Sequence, residues 1–168
     1  MEIKEVKSIE GLQPSLQHLL ADCVESGASV GFLTPVEDDE ISRYWSAVEE
    51  ELKAGARKLF VALDNNAVQG AVQLSLCGKA NGAHRGEVEK LMVHTQSRGR
   101  GLSKRLMDLM EQTASALGLS LLVLDTRLGD VASSLYQRIG YTEAGQIPQF
   151  ARSSTGELEA TVYFYKLL

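Results

Sequence analysis

A chain of 168 residues with 44% hydrophobic content has the size of one domain with one sizeable core, and it carries the composition of neither a disordered nor a membrane protein. Its 17 Lys and Arg against 22 Asp and Glu give a formal net charge of −5, which argues against nonspecific nucleic-acid binding, where a basic patch supplies most of the affinity. No apolar run approaches the roughly 18 residues needed to span a bilayer, and the start Met1-Glu2-Ile3-Lys4-Glu5-Val6 alternates charge with apolar residues, unlike a signal peptide. Neither nucleic acid nor membrane is therefore an expected partner, and the expected location is cytoplasmic. The acidic balance suits a small cationic or zwitterionic substrate. Cys23 and Cys77 belong to no metal-ligand spacing and read as free thiols, and the three histidines form none either, so no metal is expected.

Ile3 and Val6 fit a short first strand over about 2–7. Ser8 is a candidate cap for a helix whose apolar positions Leu12, Leu16, Leu19, Leu20, Cys23 and Val24 follow helical spacing, and Pro14 near its first turns allows a start a few residues later. A loop over 27–35 leads to a second helix over 37–54, acidic in its first turn and stopped by Gly55. Tyr44 and Trp45 lie on it, one expected in the core and the other as a substrate wall. The period then changes to two. Strands over 58–63 and 67–76, joined at Asp64-Asn65-Asn66, form a hairpin, and a third strand covers 86–94.

The next helix, about 100–117, carries the stripe Leu102, Leu106, Leu109, Met110, Thr113 and Leu117 and stops at Gly118. Leu119 to Asp125 is an apolar run of the kind found in buried parallel strands. A short helix over 131–139 and two closing strands, 141–150 and 158–167, complete the chain. The order is one strand, two helices, three strands, helix, strand, helix and two strands. That is a mixed α/β (α+β) fold in one domain, residues 1–168.

The central signal is Gln-x-x-Gly-x-Gly at Gln96, Gly99 and Gly101, between a strand and a helix. Glycines let the backbone approach a phosphate, and the free N–H groups of the following helix, over Leu102 and Ser103, point at an anion. Arg98 and Arg100 add positive charge. The spacing is not Gly-x-Gly-x-x-Gly, so a dinucleotide fold is disfavoured.

The segment Leu91-Met92-Val93-His94-Thr95-Gln96-Ser97-Arg98-Gly99-Arg100-Gly101-Leu102 resembles the cofactor motif of the GNAT superfamily of N-acetyltransferases. Ala132-Ser133-Ser134-Leu135-Tyr136, with Tyr141 after Gly140, resembles that family's second signature. Gly129 departs from it, standing where many members carry a cofactor-contacting Asn. A closer likeness is to acetyltransferases that confer tabtoxin resistance, through Glu87-Val88-Glu89-Lys90-Leu91-Met92-Val93, Leu124-Asp125-Thr126 and the ending Thr161-Val162-Tyr163-Phe164-Tyr165-Lys166.

The resemblance implies a GNAT-like central mixed sheet of six to seven strands, splayed between the fourth and fifth, flanked by four helices. It implies acetyl-CoA as co-substrate, entering the splay with its pyrophosphate on the loop 96–101, its pantetheine along the backbone of Leu91, Met92 and Val93, and a Leu91 N–H on the thioester carbonyl. Homodimers are common in the family. A period of two sets Glu87, Glu89, Leu91 and Val93 on one face. Glu87 occupies the family's frequent base position and Asp125 ends the neighbouring strand, so the pair is expected to take the amine proton; the alternative is two solvated strand-end charges. Glu89 reads as a structural charge, paired with Lys90 or a loop cation, the alternative being a place in the site. Tyr136 aligns with the family's general acid for the departing thiolate, or is a packed core tyrosine. The expected activity is direct acetyl transfer to the primary amine of a small molecule, an amino acid, dipeptide-like compound, antibiotic or toxin. The alternatives are a protein or peptide N-acetyltransferase, and a non-catalytic acyl-CoA-binding sensor module.

Overall fold

The two periods of the sequence resolve into seven strands and four helices: β1 (Glu2–Val6), α1 (Gln13–Glu25), α2 (Asp38–Lys53), β2 (Arg57–Asp64), β3 (Ala67–Leu76), β4 (Arg85–Val93), α3 (Leu102–Ala116), β5 (Leu121–Arg127), α4 (Ala132–Arg138), β6 (Thr142–Arg152) and β7 (Leu158–Leu167). The computed structural model describes residues 1–168. The strands form one sheet in the order β1-β2-β3-β4-β5-β7-β6, antiparallel at every pairing except β4–β5.

Each sheet face buries one apolar cluster, because strand side chains alternate and each helix brings one apolar stripe. On one face α1 and α2 close over Leu16, Leu20, Trp45, Val61 and Met92. On the other, α3 and α4 close over Phe60, Leu106, Met110, Leu122 and Phe164. Asn65 and Asn66, both at positive φ, make the tight turn of the β2–β3 hairpin, a conformation Asn tolerates better than most residues.

Helix α1 takes the later of the two starts the sequence allowed, at Gln13, and Ser8 does not cap it. Its first turn carries Pro14, which lacks the N–H that a helix start leaves unpaired anyway. Ser8 instead donates its hydroxyl to Glu49 Oε1 at 2.8 Å, and Glu49 Oε2 accepts the Ile9 N–H at 2.8 Å, so this pair ties the chain to α2.

A larger correction concerns β4. Lys90 has φ +53°, and the β3–β4 register jumps from Ala71↔Met92 to Gln73↔Glu89. One extra residue on β4 makes a bulge, and a bulge reverses the facing of everything after it. Glu87 and Glu89 keep the α1–α2 face. Leu91 and Val93, expected beside them, pack instead against the α3 cluster, and Met92 joins the α1–α2 cluster.

The parallel β4–β5 pairing consists of Arg85↔Leu121, Gly86↔Leu122 and Glu87↔Val123 and then stops, although β4 runs on to Val93 and β5 to Arg127. The strands part beyond Glu87. That is the expected splay, and it leaves one edge of β4 without a strand partner over its last six residues.

Candidate active site

Glu87 stands at the apex of the gap, as the last β4 residue paired with β5. Two residues further along each diverging strand come Glu89 and Asp125, both on the same face as Glu87. Glu89 is committed elsewhere. The Arg57 guanidinium donates to Glu89 Oε2 at 2.7 Å, to Glu51 Oε2 at 2.8 Å and to Gln73 Oε1 at 2.8 Å. This bears the structural reading of Glu89, with a β2 arginine as partner rather than Lys90 or a loop cation. Glu87 and Asp125 remain without a cation. Asp125 Oδ2 accepts the Thr161 hydroxyl at 2.8 Å, which orients the carboxylate from β7.

The Glu87 side chain is exposed within the cleft, yet partial desolvation there, reinforced by the Glu89 and Asp125 charges, pushes its pKa above the usual carboxylate range, against the pull of Arg57 and Lys90. Tyr163, the register partner of Asp125 on β7, has its phenol pushed up by burial and then by Asp125 and Glu87.

These groups open into a cleft of about 630 Å³, in the range of small-ligand pockets. The α1–α2 loop, including Gly31 and Phe32, walls one side, and the β6–β7 hairpin, including Phe150 and Arg152, walls another. Tyr136 on α4 reaches the same cleft, although only 6% of it is exposed and its ring lies against Tyr141 and Phe164. Burial, then Asp130 and Asp125, raises its pKa, so the phenol stays protonated and able to donate. Tyr136 is thus packed against the core and lines the cleft at the same time. Trp45 takes the core role, 1% exposed. Tyr44 does not wall the cleft; it packs edge-on between Phe32 and Trp45, with the Gln73 amide donating to its hydroxyl at 2.9 Å.

The Gly-rich loop lies at the far end of β4. Gly99 (φ +77°) and Gly101 (φ +73°) adopt left-handed conformations, and a Cβ on either would meet no atom within 4 Å. Glycine is needed there for its backbone angles, and the space above the loop is open. Gly101 caps α3, whose first internal bond is Arg105 N–H to Gly101 C=O, so the N–H groups of Leu102, Ser103 and Lys104 have no helical acceptor. The Leu102 side chain is buried, leaving only its backbone for a ligand. Arg100 is exposed, whereas the Arg98 guanidinium turns back to the Val93 carbonyl (3.2 Å) and Ser26 Oγ (3.0 Å). The loop follows the open β4 edge at Leu91–Val93 in the chain, and that edge reaches the cleft at Leu91. A pyrophosphate on the loop and an extended arm along the β4 edge fit this layout.

Sequence reasoning did not foresee the tether of that loop to α1. Asp22 accepts the Thr95 N–H and hydroxyl, each at 2.8 Å, and His18 and His94 stack with their Nε2 atoms 3.1 Å apart. These contacts join residues more than 70 positions apart, so no local pattern announces them. Thr161 beside Asp125 and Arg57 beside Glu89, 36 and 32 positions apart, are equally beyond a local pattern.

Solved structures share this fold along essentially the whole chain. A ribosomal-protein-alanine N-acetyltransferase from Brucella melitensis superposes with a TM-score of 0.83 at 20% identity, covering 100% of both chains. A phosphinothricin acetyltransferase from Sinorhizobium meliloti, solved with acetyl-CoA, gives 0.81 at 19% identity over 100% of this chain and 89% of that one. In sequence, an uncharacterized N-acetyltransferase from the hisH–hisA intergenic region of Azospirillum brasilense is 32% identical over 108 residues, a stretch that covers 63% of this chain and 62% of that protein. The acetyltransferase (GNAT) family profile matches residues 15–141, from α1 through the splayed strands and the Gly-rich loop to Tyr141, and the chain belongs to that family.

Proposed function

We propose that this protein transfers the acetyl group of acetyl-CoA directly to the primary amine of a small molecule, with Glu87 and Asp125 accepting the amine proton. The observation that carries the reading is Glu87 at the apex of the β4–β5 gap, its pKa raised, facing Asp125 across a cleft walled on two sides. An amine arrives largely as ammonium, and a carboxylate of raised pKa is a better proton acceptor for it than an ordinary one.

Bound acetyl-CoA supplies an activated thioester. The N–H groups of Leu102 and Ser103, with Gln96, Gly99, Gly101 and the Arg98 and Arg100 backbone, hold its pyrophosphate in this reading. Leu91, Met92 and Val93 line its arm, and the Leu91 N–H meets the carbonyl oxygen as negative charge develops. Tyr136 donates its proton to the leaving sulfur. The two-sided walls support a small acceptor over a protein segment. The acetyl-CoA complex of the Sinorhizobium neighbour supports the cofactor, and its name supports a small-molecule amine. Toxin or antibiotic inactivation is part of this proposal, on the likeness of Glu87–Val93 to tabtoxin-resistance enzymes.

Release of free CoA thiol, measured against amino acids, dipeptides, polyamines, aminoglycosides and short peptides, tests it. Amine-dependent release with a small molecule supports the reading. Release with peptides alone moves the function to protein acetylation, and silence from a chain that binds acetyl-CoA refutes catalysis.

A further inference from the structure

We propose that Lys90 binds a carboxylate of the acceptor, making the substrate an aminocarboxylate held with its nitrogen at Glu87 and Asp125 and its anionic end at Lys90. The inference rests on the acetyl-transfer reading above and names the substrate class of that same site.

Lys90 is the bulge residue of β4. Its φ of +53° is uncommon for a residue with a side chain, and the bulge re-aims that side chain onto the acceptor face, beside Glu87 and Glu89. The ammonium lies 5.6 Å from the centre of the Tyr44 ring and lines the cleft. Gly31 stands beside it, where a Cβ would lie in ordinary contact, 3.4 Å from Lys90 Nζ.

The charge arrangement around Lys90 is incomplete. Its natural partner Glu89 is held by Arg57, and no carboxylate lies within ion-pair distance of Lys90 Nζ. Burial lowers its pKa, against the surrounding carboxylates. The other cleft cations differ. Arg127 faces Glu159 at 3.4 Å and donates to the Gly27 carbonyl at 3.2 Å, and exposed Arg152 donates to the Gly156 carbonyl at 2.7 Å. Lys90 is the half-buried cation of this cleft that lacks an anion.

What would complete it follows from the rest of the lining. Glu87, Asp125 and Asp130 carry no salt bridge, so the cleft accepts one ammonium readily and tolerates little extra negative charge. A monoanion fits one lysine in these surroundings, and a phosphate dianion does not. Glu87 and Lys90 lie three residues apart, about 10 Å along a strand, and both side chains can bend toward the space between them. That reach covers α-amino acids and dipeptides.

The test uses the full chain and CoA-thiol release, comparing amino acids and dipeptides with their own C-terminal amides, in the native protein, Lys90→Met and Lys90→Arg. The native protein is expected to prefer each free acid by about 10-fold or more in kcat/KM, carried mainly in KM, as loss of a charged hydrogen bond implies. In Lys90→Met the acid-to-amide ratio collapses toward one, and Lys90→Arg restores part of it. Equal use of acid and amide by the native protein overturns the inference and leaves the acetyltransferase reading standing. So does an equal loss of both in Lys90→Met, which marks a packing role over Tyr44. No transfer to any amine by a chain that binds acetyl-CoA overturns both.

Discussion

Replacing Glu87 with Gln removes the proton acceptor while keeping the side chain's size and hydrogen-bonding capacity. General-base groups contribute about 10²–10⁴ in rate, and Asp125, still present across the gap, holds the expected loss near the lower end, about 10² or ~2.7 kcal/mol. Acetyl-CoA affinity is expected to survive. From Glu87 to Val93 is six strand steps, roughly 20 Å, and the Gly-rich loop lies beyond. The pH profile is more discriminating. Only ionised Glu87 accepts a proton, so kcat/KM rises with pH through its pKa, and that acid limb lies above the usual carboxylate range because the Glu87 pKa is raised. Glu87→Gln abolishes the limb. Asp125→Asn removes one negative charge that raises the Glu87 pKa, so its limb moves to lower pH. Stability moves in the opposite sense to activity. A carboxylate whose folded pKa is raised contributes stability below its unfolded pKa that is lost as pH rises through the folded value, so at neutral pH Glu87→Gln melts no lower than the native protein. The assay is CoA-thiol release between pH 5 and 8, with cofactor binding by calorimetry. Turnover within threefold of native in Glu87→Gln, or an unmoved limb in Asp125→Asn, refutes the reasoning.

Tyr136→Phe keeps the ring packing against Tyr141 and Phe164 and removes only the donor; turnover is expected to fall roughly 10²-fold with little change in melting temperature, and unchanged turnover on a good substrate removes the general-acid role. Gly101→Ala meets no atom, so its cost is the left-handed backbone alone, about 1–2 kcal/mol. It should lower the melting temperature by roughly 2–8 °C and weaken acetyl-CoA binding, both readable in one thermal-shift titration. Lys166→Met strands the part-buried Glu111 carboxylate, which now accepts from Lys166 Nζ at 2.7 Å. Both side chains retain some solvent, so the expected loss is about 2 kcal/mol, below that of a fully buried pair, with catalysis per folded molecule unaffected.

The Gly-rich loop was legible because its signal is local: two glycines at positive φ followed at once by an amphipathic helix leave few other structures open. The hairpin at Asn65-Asn66, helix α2 and the strand–helix order were legible for the same reason. Alternation failed at β4, where the bulge at Lys90 sends Leu91 and Val93 to the opposite face from Glu87; a period-two reading has no means of registering an inserted residue. Ser8 failed as a helix cap because its hydroxyl meets Glu49, 41 positions away. Glu89 found Arg57 through the β2–β3–β4 register, and Tyr44 found Gln73 through the packing of α2 on the sheet.

By itself the sequence carried the family likeness and the order of the elements, since both rest on motifs and spacing within short segments. Tertiary structure alone decided which carboxylates stay unpaired, that Glu87 is pushed above ordinary carboxylate acidity, and that Lys90 turns into the cleft. Those properties depend on burial and on charges contributed by distant strands, and such neighbours exist only once the sheet has formed.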